Sequence, residues 1–267
     1  MGSLRWYGSE FHTLRLLGRH RRAFSAAVAS ATGLVDLTWL DFQLGRTYQP
    51  VAPEGKSGRH YPKLPDQEWL ALDFLRDEPA LARLIKGGTK AADDWEPDFW
   101  PLRRGTGTLN WDAVGYSEDP PSVVLVEAKA RVDEIMDKKE RKHGRVSTKS
   151  IVEAFEKTQR WLGIAPSGEA WRRSPYYQHA NRLAALYYLR QERDIAAVFA
   201  PLYLCGDKYP GKPRGDNLTS GDYCPMSGKG WARPIAEMND ALGLTGVNKA
   251  SYGIREVFLD VVRVEPC

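Results

Sequence analysis

Apolar positions cluster in runs whose spacing separates helices from strands. Ser9 to about Ser30 carries helical spacing, with Ser9 as a cap and Gly33 as a stop. Leu34 to Leu44 alternates in part and predicts a strand, and the Pro-, Gly- and Lys-rich stretch 49–65 predicts a loop. A helix is expected from Asp66, its cap, to Gly87-Gly88, with Trp69, Leu70, Leu72, Phe74, Leu75, Leu81, Leu84 and Ile85 as its apolar side chains and Pro79 as a kink. Glu96 to Leu102 reads as a short edge strand.

Two further strands follow. Leu109 to Gly115 contains Asp112, and Ser122 to Ala130 is an apolar, β-branched run that closes on Glu127-Ala128-Lys129. The Gly, Ser, Asp and Pro residues of 115–122 predict the turn between them. Residues 133–149 are dominated by charge of both signs. A helix is expected over Ser150–Leu162, a linker over Pro166–Pro175, and a strong helix over Tyr176–Gln191 with Pro175 in its opening turn. Ile195–Leu204 reads as a buried strand, 207–229 as a loop, 232–242 as a helix and Glu256–Val264 as a final strand. No internal repeat is visible.

Composition narrows the class. With 267 residues, 42% apolar and 27% charged, the chain is long enough for a full hydrophobic core and has ordinary globular usage. A net charge of +4 and a pI of about 8.9 permit a nucleic-acid partner without requiring one. The longest apolar run, Ile195 to Cys205, is far short of a membrane helix, and no secretory leader is evident. Three cysteines without a CxxC pair argue against a structural zinc and fit a reducing, cytoplasmic setting. The five histidines lack zinc-ligand spacing. Gly55-Lys56-Ser57 lacks the first glycine of a phosphate-binding loop, and no Gly-x-Ser-x-Gly elbow occurs.

The candidate chemistry lies where charge interrupts the strand pattern. A buried strand ending in Glu127-x-Lys129, beside a strand carrying Asp112, brings two carboxylates and one ammonium to one spot. By alternation Glu127 and Lys129 share a face, while the Ala128 side chain points away. Carboxylates suit Mg²⁺, and a lysine beside such an ion prepares water for attack on a phosphodiester. Many chains of this length contain the bare spacing by chance, and a salt bridge at a strand end is its bland counterpart. The order of elements lifts it: helix, three strands, helix, strand, with 133–175 set aside.

Over residues 66–206 this pattern resembles the PD-(D/E)XK nuclease superfamily. The resemblance implies an α/β, restriction-endonuclease-like core of α-β-β-β-α-β order, with a mixed central sheet flanked by helices. Residues 1–65 form an N-terminal addition, 133–175 a helical insertion, and 207–267 a C-terminal addition. It also implies a nuclease in which Asp112, Glu127 and the Ala128 carbonyl hold Mg²⁺, for which Mn²⁺ substitutes, and Lys129 acts on the nucleophile. Family members often add an acid from the first core helix, and Glu68 is the best match. In parts of the superfamily a glutamine on the later helix lies near the lysine, and Gln178 is similar in position. Gln178 and Arg182 stand i, i+4 on one face, and Arg182 is a candidate phosphate contact. Glu134 is either an outer acid or a solvated charge. Lys138, Lys139, Arg141 and Lys142 are candidate nucleic-acid contacts. The implied partner is nucleic acid, taken as DNA from the resemblance, with no membrane and with a homodimer left open. A non-catalytic binding or complex-forming protein on the same fold is the alternative.

Overall fold

The computed structural model describes residues 7–40, 69–70, 81, 110–136, 145–218 and 222–266 of the chain. Its centre is a mixed six-stranded sheet in which β1 (Thr38–Trp39), β4 (Ala113–Glu118), β5 (Pro121–Lys129), β6 (Ala197–Cys205), β7 (Val257–Asp260) and β8 (Glu265–Pro266) are neighbours in that order. β4 runs antiparallel to both β1 and β5, β5, β6 and β7 are parallel, and β8 turns back antiparallel. A separate pair joins β2 (Trp69–Leu70) to β3 (Asn110–Trp111).

β5 explains the architecture. Every residue from Ser122 to Ala128 is buried, which a strand achieves only when both faces of its sheet are covered. Val123 and Leu125 face one core, and Val124, Val126 and Ala128 face the other. α1 (Ser9–Arg19) and α2 (Arg21–Thr32) cover the second face with Leu16, Leu17, Phe24, Ala27 and Val28. On the first face lie α3 (Arg145–Trp161), α4 (Gly168–Arg173), α5 (Tyr177–Tyr187) and α6 (Gly228–Ala241). The molecule is therefore an α/β protein with helices on both sides of a mixed sheet.

Several elements depart from the pattern-based expectation. The first helix is two, broken at His20, whose amide bonds to both Arg15 and Leu16 carbonyls. The break lets both pieces lay apolar sides on one sheet face. Gly8, not Ser9, occupies the cap, while Gly33 ends α2 in the left-handed region as expected. Trp69 and Leu70, assigned to a helix by spacing, are extended and pair with Trp111 and Asn110. Leu81 is helical and buried. The stretch 49–65, the Asp66 cap, most of the helix expected after it and the strand expected at Glu96–Leu102 lie outside the described residues. The turn is tighter than 115–122, since β4 and β5 pair out to Glu118 and Pro121. The linker 166–175 contains α4.

The N-terminal segment supplies β1 at the edge of the main sheet as well as α1 and α2 across one face. Gly115 permits that edge pairing, because a Cβ there would stand 2.8 Å from the Trp39 ring and 3.0 Å from the Thr38 carbonyl. α3 shares the first core, with Ile151, Ala154, Phe155 and Leu162 packed among α5 residues and Phe155 edge-on to Trp171 and Tyr177. Cys205 is disulfide-bonded and Cys224 is a free buried thiol, so the cysteines do not carry an inference of a reducing compartment. Among the described residues, no helix is long and apolar enough to cross a membrane.

Candidate functional site

The site lies where β5 outruns its antiparallel partner. The β4–β5 ladder begins at Ala113 opposite Val126. One residue earlier the chain bends at Asp112, just outside the ladder. The Asp112 amide donates to the Val126 carbonyl at 3.1 Å, and its carboxylate Oδ2 accepts from the Ala128 amide at 2.6 Å. Asp112 thus satisfies a strand amide that the ladder leaves over. Alternation turns the Ala128 carbonyl to that same edge.

Glu127 points to the helical layer of α3 to α6. Its Oε1 accepts from the Lys129 ammonium at 2.6 Å. Its Oε2 accepts two N–H groups of Arg182, at 2.9 and 2.7 Å. Burial pushes the Glu127 carboxyl up, but the charges of Arg182 and Lys129 and their hydrogen bonds outweigh it and hold the group below its ordinary range. Lys129 also donates to Gln178 Oε1 at 2.6 Å. Gln178 and Arg182, one helical turn apart on α5, therefore grip the Glu127–Lys129 pair together, as their i, i+4 spacing allows.

Arg182 departs from its expected role. It is 3% exposed, its guanidinium is engaged by Glu127 and by Asn181 Oδ1, and it lies 5.0 Å from the centre of the Trp111 ring. It is an internal counter-ion, not a group presented to phosphate. Glu134 departs too. It accepts from the Ala130 amide at 2.7 Å and pairs with Arg131, capping the strand end instead of facing water. Glu68, Lys138, Lys139, Arg141 and Lys142 lie outside the described residues.

Two histidines gave no pattern signal. His179, beside Gln178 on α5, leans on Phe199 with ring centres 5.3 Å apart. Burial, then the charges of Lys249 and Lys129, push its imidazole down to about 3. His12 Nε2 meets Asp207 Oδ1 at 2.9 Å, and the Gly8 and Lys208 amides also donate to Asp207. This pair ties α1 to the end of β6. Because its partners are 195 residues apart, no local spacing reveals it.

Asp112, Glu127 and the Ala128 carbonyl would offer oxygen donors only, the kind that suit a hard cation such as Mg²⁺. Mg²⁺ characteristically takes one or two carboxylates and completes its shell with water and phosphate. Among the described residues, no group of three or more His, Cys, Asp or Glu side chains is placed to hold a metal. The ion would rest on two carboxylates here.

No family model matches the chain, and neither a curated protein nor a solved structure matches it.

Proposed function

We propose that this protein is a metal-dependent nuclease of the PD-(D/E)XK type that hydrolyses phosphodiester bonds, with DNA as substrate. The observation that carries the reading is the junction of Asp112, Glu127, Lys129 and Gln178 at the end of one buried strand. The setting supports it. A mixed sheet with antiparallel β4–β5, a parallel β6 and helices on both sides is compatible with such a nuclease, although β1 comes from the N-terminal segment and the first core helix and strand expected at 66–102 lie mostly outside the described residues.

On this reading Asp112, Glu127 and the Ala128 carbonyl would hold Mg²⁺ or Mn²⁺. When bound, the ion supplies Lewis-acid activation of phosphate and water. Lys129 approaches the attacking water and offsets negative charge that develops on the phosphate. Gln178 fixes the ammonium through its carbonyl oxygen, and Arg182 fixes Glu127.

One observation favours a second reading, a non-catalytic nucleic-acid-binding protein. Glu127 is already neutralised by two cations within hydrogen-bond distance, so this carboxylate is satisfied without a metal. Lys129→Ala separates the readings. With purified protein, Mg²⁺ and supercoiled or linear DNA, the wild type should cleave, and the variant should lose at least ~10²-fold in rate while circular dichroism shows it still folded at the assay temperature. Cleavage that survives the substitution excludes Lys129 from the chemistry. A wild type that binds DNA but leaves it intact with either metal supports the second reading.

A further inference from the structure

The α1–α2 elbow concentrates positive charge. Arg15, Arg19, His20, Arg21 and Arg22 fall within eight residues, and no acid occurs between Glu10 and Asp36. Their fields overlap: burial, then Arg15 and Arg19, push His20 below its ordinary value. Arg15 and Arg21 have structural duties, donating to the Val261 and Leu17 carbonyls at 2.8 Å each. Arg19 and Arg22 are exposed, and among the described residues neither meets a carboxylate. Three exposed arginines on other helices are paired. Arg160, Arg173 and Arg233 are each matched to a glutamate four residues away on their own helices. Two exposed arginines close together with no described carboxylate between them repel one another, and a polyanion relieves that repulsion.

The elbow is also well placed. β5, β6 and β7 are parallel, so Lys129, Asp207 and Val261 mark the same, carboxyl-terminal edge of the sheet. Carboxyl ends of parallel strands are where open α/β sheets bind ligands. α1 is pinned along this edge, by Gly8 and His12 to Asp207 and by Arg15 to Val261. β5 and β7 are two strand spacings apart, about 10 Å. B-DNA rises about 3.4 Å per base pair along each strand, so a short segment spans the ends of β5 and β7, and the elbow continues α1 beyond its anchor at Val261.

We propose that the α1–α2 elbow, through Arg19 and Arg22, binds the sugar-phosphate backbone of a nucleic-acid duplex lying across the carboxyl edge of the sheet. The proposal deepens the nuclease reading by locating its substrate track, and it rests on that reading only for what happens at Lys129. The track lies outside the charged 133–149 segment, where acids are interleaved with the bases.

The test uses the full chain with divalent ions chelated and a fluorescent DNA duplex, followed by anisotropy across a salt titration. The double variant Arg19→Glu/Arg22→Glu is compared with wild type, with Arg19→Ala/Arg22→Ala as the milder form. Circular dichroism should show both variants folded, since neither side chain supports the core. At low salt the affinity should fall at least tenfold. For the alanine form, the slope of log K against log salt should become shallower by up to ~1.8, about 0.9 per lost phosphate contact. Equal affinity and slope in variants and wild type would overturn the proposal. So would a wild type that ignores duplex but binds phosphatidylserine vesicles through these arginines. The two readings fail separately. Arginine-dependent binding by a protein that never cleaves in Mg²⁺ keeps the elbow and removes the nuclease. Lys129-dependent cleavage with unaltered binding in the elbow variants keeps the nuclease and removes the elbow.

Discussion

Arg182→Ala is the most informative single perturbation of this molecule. Glu127 and Arg182 are 6% and 3% exposed, and two guanidinium N–H groups converge on one carboxylate oxygen. Removing one partner of a buried ion pair typically costs about 3–5 kcal/mol, because the remaining charge is stranded. Lys129 stays in place and meets part of that demand, so the expected loss lies at the lower end, about 3 kcal/mol. For a chain of this size each kcal/mol lowers the melting temperature by roughly 2–4 °C, which predicts a fall of about 6–12 °C. Urea denaturation at pH 7 measures the free energy directly. The acid limb gives an independent check. The Glu127 carboxyl is held below its ordinary value of 4.5, so its contribution is present above that value and lost as pH falls through the folded one. Without Arg182 the Glu127 pKa rises, and that part of the acid-induced loss should shrink. Glu127→Leu/Arg182→Met removes both charges and should recover much of the stability, since apolar replacement of a buried pair is often neutral or better. A loss under about 1 kcal/mol for Arg182→Ala, or a double variant no more stable than the single, would refute a buried Glu127–Arg182 pair.

Two further outcomes test the surroundings. His179, pushed down to about 3 from 6.5, resists protonation in the folded state, so stability should fall as pH drops below 6.5, by up to about 2 kcal/mol between pH 7 and 5. His179→Asn should remove that part of the pH dependence, and an unchanged difference between the two pH values would contradict the lowered imidazole pKa. Gly115→Ala should cost about 1–3 kcal/mol by overpacking, because Trp39 is held by its stack on Phe24 and its bond to Ser25 Oγ and cannot yield. An unchanged urea midpoint would show that β1 is not seated against β4 as described.

The strand Ser122–Lys129 was legible from sequence because burial on both faces leaves an unbroken apolar run, and because charges at the end of such a run are conspicuous. The face shared by Gln178 and Arg182 was legible because helical spacing is a local property. The role of Arg182 was not. From spacing alone a phosphate and the Glu127 carboxylate are equivalent partners for a guanidinium, and only the docking of α5 on β5 decides between them. Trp69 and Leu70 have the hydrophobicity of a helix face, and a two-residue strand is too short to show a period of its own. The membership of β1 in the main sheet, the bond from the Ala128 amide to Asp112 and the His12–Asp207 pair all join distant segments. Such contacts depend on which groups burial leaves unsatisfied and on which partner the packed chain brings within reach. Local sequence determined the elements and their apolar faces; the competition among partners for buried charge and unpaired amides was decided only when those faces met.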